Sequence, residues 1–256
     1  MLATPDNLAG AFAHYEEHGY VHLGNLVPEA TLAELRARIN AIMLGEVVHE
    51  GLFFQHDSAT GRYEDAPIGQ GYAGPSLAYR KIEKLEKDPL FRAYLEDPGF
   101  ERIVSERIGS DIALYRAIVM NKSSSGGSNL PWHQDGGSFW GLDRDPELQV
   151  WTALDDAPLD GGCLEFVPGT HRGGLATPLG GVIPPEAIGD AEARKVLVPA
   201  RAGDVVLIHN YVWHRSGRST TGAQRRAFSC CYMDAATKCR RKKRAPRQFT
   251  RLFMRT

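Results

Sequence analysis

The feature that most constrains the fold is a series of short β-branched and aromatic runs that begins at residue 112. Clusters of Gly, Pro, Asp and Ser separate the runs, and each run is long enough for one strand. The runs are Ile112–Met120, Leu148–Leu154, Cys163–Val167, Asp204–His209 and Ala227–Met233. Short strands divided by turn residues are typical of a β-sandwich or barrel. Because 256 residues suffice for one large core, we expect a single, mainly β domain.

The N-terminal part of the chain has apolar residues at helical spacing instead. Residues 7–18 predict a helix that ends at Gly19, residues 20–23 alternate like a short strand, and Pro28 begins a second helix. Two further helical segments are expected near 88–95 and 99–108. Helices gathered at the start of a chain can cover one face of a sheet, so we expect flanking α-helices.

These patterns predict one domain with three parts. The helices occupy about 7–110, the β core about 111–236, and a basic tail about 237–256. No internal repeat or linker divides them. Within the core, Gly173–Arg194 is rich in Gly and Pro and predicts a long loop of the kind that often covers a binding site.

A His-x-Asp motif in the β region indicates a metal site. His133 and Asp135 lie two residues apart, so on an extended strand both side chains project from the same face. A second histidine beside them would complete the two-histidine, one-carboxylate set that binds Fe(II) and leaves positions open for a cosubstrate and dioxygen. The motif alone is weak, because Asp135 could simply bond to a turn. His209 and His214 both follow a later apolar strand and compete for the third position.

A set of short sequence blocks runs in order through nearly the whole chain. The blocks are His18-Gly19-Tyr20-Val21, Leu26-Val27-Pro28, Arg80-Lys81-Ile82-Glu83-Lys84, Asn121-Lys122, His133-Gln134-Asp135, Trp151-Thr152-Ala153-Leu154-Asp155, Gly161-Gly162-Cys163-Leu164, Val167-Pro168-Gly169-Thr170-His171, Gly203-Asp204-Val205-Val206, His214-Arg215-Ser216-Gly217 and Arg225-Arg226-Ala227. In this order they resemble the phytanoyl-CoA dioxygenase family of Fe(II)- and 2-oxoglutarate-dependent oxygenases. The resemblance implies a double-stranded β-helix, which is a jelly-roll, cupin-like barrel. It also implies an enzyme that uses Fe(II), 2-oxoglutarate and O2 to hydroxylate an unactivated C–H bond, releasing succinate and CO2.

The resemblance implies roles for individual residues at the iron. His133, Asp135 and His214 would be the iron ligands, which leaves His209 as a core histidine or one outside the ligand set. Related halogenases have a small residue in place of the carboxylate. The presence of Asp135 therefore favours hydroxylation.

The resemblance also implies a cosubstrate pocket. Arg225, eleven residues after His214, would bind the distal carboxylate of 2-oxoglutarate, since a guanidinium offers a bidentate fork for a carboxylate. Ser216 could donate a hydroxyl to the same carboxylate, and Lys84 and Trp151 match positions that contact the cosubstrate. Trp151 could equally be a core residue and Lys84 a solvated one. Arg226 would face the other side of the strand, as a solvated arginine.

The substrate remains open at this level. Candidate pocket residues combine aromatic and polar groups, which suits a small organic molecule with a few polar handles. They are Trp132, Phe139, Trp140, Phe54 and Gln55. Each aromatic residue could equally pack beneath a loop.

A basic C-terminal tail is the main asymmetry of a chain whose net charge is −1. From Lys238 onward the sequence contains basic residues and no acidic one. Such a tail is either a solvated terminus or a binding surface for an anionic partner, including an anionic substrate. We do not expect nucleic acid as a partner, because Phe249 and Phe253 are the only aromatic residues in the tail.

Composition restricts the cellular setting. No apolar run approaches the roughly 20 residues of a membrane helix, and the first residues lack the pattern of a secretory signal. The four cysteines show no metal-binding spacing, so we expect reduced thiols in a cytoplasmic protein. The alternative to an enzyme is a catalytically silent binding or regulatory protein on the same barrel.

Overall fold

The computed structural model describes residues 2, 5, 7–67, 69, 71–242 and 247–254. Several of the first residues, for which no secretory signal was predicted, lie outside these ranges. The basic tail residues Lys243, Arg244 and Arg255 lie outside them as well. The helices are α1 (Leu8–His18), α2 (Glu29–Leu44), α3 (Pro89–Leu95), α4 (Pro98–Ile108), α5 (Pro185–Ile188) and α6 (Ala191–Arg194). The strands are β1 (Tyr20–Asn25), β2 (Phe53–His56), β3 (Tyr79–Glu83), β4 (Ile112–Lys122), β5 (Leu130–Gln134), β6 (Leu148–Ala153), β7 (Leu164–Val167), β8 (Gly181–Val182), β9 (Val196–Val198), β10 (Asp204–His209), β11 (Trp213–Ser216), β12 (Arg225–Asp234) and β13 (Thr250–Phe253).

The strands form two antiparallel sheets. The larger sheet has the order β1-β10-β6-β12-β4-β3-β2, with β13 also paired to β4, and the smaller has the order β8-β5-β11-β7-β9. From β4 to β7 and from β10 to β12, successive strands belong alternately to the larger and the smaller sheet. This alternation makes the fold a double-stranded β-helix, as predicted.

The two faces of the larger sheet bury different sets of residues. On β10, Val205 and Leu207 belong to the cluster that contains the helices, whereas Val206 and Ile208 belong to the cluster between the sheets. The period of two along a strand produces this division. The helices therefore cover the outer face of the larger sheet, and its inner face looks across the barrel to the smaller sheet.

The five strand runs and the main N-terminal helices predicted from the sequence are present. Helix α1 begins after Asn7, whose side chain accepts a hydrogen bond of 2.8 Å from the Gly10 backbone N–H, and it ends at Gly19, whose φ is +83°. The predicted long loop, 173–194, contains the short β8 and the one-turn helices α5 and α6.

Several strands were not anticipated from the sequence. Strands β2 and β3 lie within the part expected to be helical, and β13 lies within the basic tail. In β3 the apolar Ile82 stands between charged residues, which hides the strand from a search for apolar runs. The division into three parts stays a prediction, but strands from the first and last parts join the larger sheet. Among the described residues, no helix is long and apolar enough to cross a membrane.

Candidate active site

The candidate metal ligands come from facing positions on two paired strands of the smaller sheet. His133 on β5 lies directly opposite His214 on β11, and their ring centroids are 4.0 Å apart. Asp135 follows the end of β5, where its backbone N–H donates to the Asn210 carbonyl at 2.7 Å. One potential ligand atom from each of the three side chains lies within 4.8 Å of the others. The structure thus brings together the three residues predicted as iron ligands.

Backbone contacts determine which nitrogen of each imidazole can bind a metal. Nδ1 of His133 lies 2.9 Å from the Pro131 carbonyl, and Nδ1 of His214 lies 2.9 Å from the Val212 carbonyl. A carbonyl only accepts, so each Nδ1 must carry the proton and each Nε2 keeps its lone pair. Burial lowers the pKa of His133 to about 3 and also lowers the pKa of His214. Both rings are therefore neutral, as metal ligands must be.

The carboxylate of Asp135 is held through one of its two oxygens. Oδ2 accepts a hydrogen bond of 2.6 Å from the Gln149 amide and lies 2.9 Å from the Arg116 guanidinium. Burial opposes ionisation, but the Arg116 charge, the two histidines and the Gln149 hydrogen bond together outweigh it and hold the pKa of Asp135 below its ordinary value. Oδ1 makes no hydrogen bond within the described part of the chain. Two neutral imidazoles and one anionic oxygen are a donor set that suits Fe(II).

A cavity of about 80 Å³ between the sheets joins this cluster to the predicted cosubstrate residues. Arg225, Ser216 and Trp151 line the cavity together with the three candidate ligands. A single water needs only roughly 15 Å³ of such space, so the cavity has room for a larger polar ligand.

Arg225 is a buried cation with few partners. Its Nη2 donates to the Gly162 carbonyl at 2.6 Å, its guanidinium lies 5.3 Å from the Trp151 ring centre, and its buried Nε has no partner. Burial lowers its pKa to about 10, so the side chain is still charged at neutral pH. Among the residues that the structure describes, no carboxylate pairs with it, which fits the binding of an external carboxylate.

Lys84 is the predicted cosubstrate residue that does not reach the cavity. It occupies the exposed turn after β3, with a φ of +68°, and is absent from the cavity lining. This placement agrees with the alternative of a solvated lysine. A position transferred by resemblance can shift by a few residues where a strand gives way to a turn.

Three of the proposed substrate-pocket residues lie away from the cavity. Trp132 is adjacent to His133 and therefore points to the outer face of β5, where it donates to Glu192 at 3.1 Å. Phe54 packs in the core against Tyr79, with ring centres 5.1 Å apart. Gln55 accepts a hydrogen bond of 3.0 Å from Arg80. None of the three lines the cavity, and a role for them in substrate binding stays a prediction.

Phe139 and Trp140 occupy a short 3-10 helix, Ser138–Trp140, close after Asp135. The Phe139 side chain is 67% exposed, and its backbone N–H bonds to the Leu179 carbonyl of the long loop. Trp140 is buried and stacks on Tyr115 at 4.2 Å. Neither lines the cavity, although Trp140 contacts Arg116, which does.

The alternative residues, His209 and Arg226, lie outside the cavity lining. His209 accepts a hydrogen bond at Nδ1 from the Tyr211 backbone and is adjacent to His171, so it is a core histidine, as expected. Arg226 faces the other side of β12, as expected, but it is buried rather than solvated. Its guanidinium binds both oxygens of Asp155, at 2.7 and 2.8 Å.

Sequence reasoning missed Arg116 and Gln149, the two residues that bind Asp135. A signal was present for Arg116, because a single charge interrupts the apolar run Ile112–Met120. Arg116 lies two and four residues before Ile118 and Met120, which share its face of β4 and also line the cavity. Gln149 stands two residues before Trp151 on β6 and faces the cavity for the same reason.

The chain matches the family model described as phytanoyl-CoA dioxygenase (PhyH) over residues 15–227. It is 30% identical over 232 residues to the peroxisomal phytanoyl-CoA dioxygenase of Homo sapiens, covering 86% of this chain and 67% of that protein. The chain therefore spans about two thirds of the length of this relative.

Solved structures show the same fold at lower identity. EctD from S. alaskensis with 2-oxoglutarate and 5-hydroxyectoine aligns with a TM-score of 0.73 at 17% identity, over 96% of this chain and 86% of that one. The epimerase SnoN in complex with Fe3+, alpha ketoglutarate and nogalamycin RO aligns with a TM-score of 0.71 at 23% identity, over 93% and 88%.

The fold and the cluster of donors define a non-haem iron dioxygenase that depends on 2-oxoglutarate. Within that class, the chain belongs to the phytanoyl-CoA dioxygenase family. Its cofactors are Fe(II), 2-oxoglutarate and O2.

Proposed function

We propose that His133, Asp135 and His214 bind the iron, that Arg225 binds the distal carboxylate of 2-oxoglutarate, and that the enzyme hydroxylates a small molecule. The observation that carries this proposal is the shared cavity. The three potential metal ligands line the same space as a buried arginine that has no carboxylate partner among the described residues. Within the described residues, no other group of His, Cys, Asp or Glu side chains could hold a metal ion.

The residues around Arg225 complete the proposed cosubstrate pocket. Ser216 is buried on β11, two residues after His214, and offers a hydroxyl donor beside the guanidinium. Trp151 supplies a flat wall against which the Arg225 guanidinium already rests. A dicarboxylate that reached from the metal cluster to Arg225 would thus satisfy the unused Nε donor.

The bound iron and 2-oxoglutarate supply the chemistry that activates dioxygen, in a reaction that yields succinate, CO2 and an alcohol from the substrate C–H bond. The protein holds His133 and His214 in the neutral tautomer, keeps Asp135 ionised and excludes bulk water from the cavity. The carboxylate of Asp135 supports hydroxylation over halogenation, because it fills the position that a halide would take.

Exposed groups around the short 138–140 helix, which follows Asp135 closely, support a substrate with both apolar and anionic parts. Phe139 and Leu179 are 67% and 59% exposed, and they meet through a hydrogen bond between their backbones. On the other side, Arg241 donates to the Phe139 carbonyl, and Arg247 lies 4.7 Å from the Tyr115 ring centre. Arg241 and Arg247 therefore lie beside the 138–140 segment, where they would attract an anionic group.

The cellular compartment is a separate part of the proposal. All four cysteines are free thiols, and three of them are buried, which suits the reducing cytoplasm. The mammalian relatives are named as peroxisomal enzymes. Imaging of the tagged protein in its own cells would decide, and a punctate organellar signal would overturn the cytoplasmic proposal.

The test measures succinate release from 2-oxoglutarate after anaerobically iron-loaded protein is exposed to oxygen. The wild type should release succinate, and His214→Ala and Arg225→Ala should not, even though both remain folded. Arg215→Ala is the matched control, because this neighbour of His214 bonds to Glu165 on the outer face. If the wild type bound neither iron nor 2-oxoglutarate, as judged by the visible charge-transfer band, the silent-barrel alternative would stand.

A further inference from the structure

Two buried cations lie directly opposite each other on neighbouring strands at one end of the cavity. Lys122 on β4 pairs with Arg225 on β12, and the two residues are 5% and 4% exposed. Directly paired residues of antiparallel strands project from the same face, and like charges in such positions destabilise a sheet. Both side chains also contact Gly162. A Cβ at this glycine would lie 2.9 Å from Cδ and Cε of Lys122, and its carbonyl accepts the hydrogen bond from Arg225.

The small pocket that these two cations share has no acidic residue in its lining. Arg80, Ser128 and Ser216 line it as well, and within the described part of the chain no carboxylate does. Nζ of Lys122 donates to the Ser128 carbonyl at 2.9 Å, which occupies one of its three hydrogens. Arg80, only 6% exposed, therefore adds a third buried cation to a pocket that lacks an anion.

The surroundings of Lys122 weaken its hold on a proton. Burial lowers the pKa of Lys122 well below its ordinary value, and three arginines lower it further, whereas one aspartate raises it. In that order, from β12, β3 and the loops after β11 and β2, these charged groups are Arg225, Arg80, Arg218 and Asp57. Oδ1 of Asp57 already accepts hydrogen bonds from the Ser128 backbone and hydroxyl, at 3.0 and 2.6 Å. A carboxylate that arrived beside Lys122 would shift it back toward the ammonium form.

The small pocket adjoins the cavity that holds the metal cluster. The two spaces share Ser216 and Arg225 in their linings, so an anion that extends from the cluster to Arg225 ends beside Lys122. The small pocket has a volume of about 20 Å³, and a single water needs roughly 15 Å³. It therefore has room for an oxygen atom of a ligand already bound in the cavity, and no room for a second molecule.

We propose that Lys122 is a second cation of the cosubstrate pocket, which gains a proton when the distal carboxylate of 2-oxoglutarate binds between it and Arg225. One carboxylate oxygen would accept from Arg225 and the other from Lys122, so one ligand supplies the counter-charge for both cations. This inference rests on the proposed function, which assigned the carboxylate to Arg225 and Ser216.

Proton uptake gives cosubstrate binding a defined dependence on pH. The carboxylate raises the pKa of Lys122 in the complex above its value in the free protein. Between these two pKa values, each 2-oxoglutarate that binds brings up to one proton from solution onto Lys122. Affinity should therefore fall as pH rises through this window, by at most about tenfold per pH unit. Outside the window Lys122 has the same charge in both states, and the dependence disappears.

Calorimetric titration of 2-oxoglutarate into the full-length, anaerobically iron-loaded protein measures the proton. Each titration is repeated in two buffers of different ionisation enthalpy, across the pH range in which the protein stays folded. The difference in observed heat gives the number of protons taken up. The wild type should take up close to one proton within the window. Lys122→Met should lose this uptake, and its affinity at the low end of the range should fall about tenfold, because a charged hydrogen bond is lost.

Lys122→Arg separates the charge from the proton and serves if Lys122→Met folds poorly. Because arginine stays protonated, this variant should take up no proton while keeping affinity for 2-oxoglutarate across the whole range. The control is Lys195→Met, since Lys195 pairs with Glu192 at 2.9 Å and lies outside both linings, so it should keep the wild-type uptake. Protons exchanged at the metal cluster are common to all variants and cancel in the comparison.

The outcomes separate this inference from the proposed function. If the wild type binds 2-oxoglutarate, and folded Lys122→Met or Lys122→Arg takes up as many protons as the wild type does, Lys122 is not the group that titrates and the inference is overturned. Loss of uptake in Lys195→Met as well would reject it too, since the effect would not be specific to the pocket. If the wild type binds neither iron nor 2-oxoglutarate, the proposed function itself has failed, and the inference fails with it.

Discussion

Two adjacent arginines lie on opposite faces of β12, and their guanidinium groups differ in how fully the chain supplies partners. Arg226, on the outer face beneath the helices, binds both oxygens of Asp155 and also donates to Asn40 at 2.7 Å. Arg225, on the inner face, donates to one backbone carbonyl and leaves its buried Nε unused. Burying an unpaired charge is costly. Arg226 has its counter-charge within the chain, whereas Arg225 has no carboxylate partner among the described residues, which is why we propose a ligand for it.

The largest effect on stability should come from the outer face. Among the described residues, Arg226→Met would leave the partly buried Asp155 with only Arg36, 3.5 Å away, as a cationic partner. We expect the free energy of unfolding to fall by about 3 kcal/mol, because removing one member of a buried ion pair strands the other charge. Urea unfolding of the metal-free protein measures this loss. A loss below about 1 kcal/mol would mean that the outer pair contributes no more than a surface salt bridge.

Arg225→Met should affect ligand binding more than stability, the reverse of what we expect for Arg226→Met. Removing a buried cation that has no carboxylate partner should change the stability of the metal-free protein by less than Arg226→Met does. Affinity for 2-oxoglutarate should fall about 100-fold, since a buried contact between a charged donor and a carboxylate is lost. Calorimetric titration of the iron-loaded protein measures the affinity. Equal destabilisation by both variants would erase the distinction between the two faces.

Ser216→Ala should produce a smaller change of the same kind. Ser216 is buried beside Arg225, and a neutral hydroxyl contributes about 1 kcal/mol to binding, so we expect 2-oxoglutarate affinity to fall about fivefold. The same titration applies, with Ser229→Ala as the control, because Ser229 lines the cavity on β12 and bonds to Gln149 instead. Identical losses in the two variants would remove Ser216 from the cosubstrate pocket.

The sequence predicted the inner face better than its surroundings, for a physical reason. A two-residue spacing on a strand places His133 and Asp135 on one face, and Arg225 and Arg226 on opposite faces, whatever the rest of the fold does. The same rule would have excluded Trp132, the direct neighbour of His133. Arg116 could be suspected as a lone charge in an apolar run, but its pairing with Asp135 depends on how β4 and β5, from different sheets, meet across the barrel. Such cross-sheet contacts have no period in the sequence.

Lys84 extends the comparison of the two sheet faces, because the resemblance predicted that it contacts the cosubstrate, yet it lies on neither face. Its side chain is exposed on the turn after β3, so Lys84→Ala should change 2-oxoglutarate affinity less than twofold and the free energy of unfolding by less than about 0.5 kcal/mol. Calorimetric titration of 2-oxoglutarate into Lys84→Ala and Ser216→Ala under the same conditions compares the two losses of affinity. If Lys84→Ala weakened binding as much as Ser216→Ala, the turn would have to fold toward the cavity when 2-oxoglutarate binds. The cosubstrate would then be held by a segment that moves as well as by the residues on the inner face of the sheet.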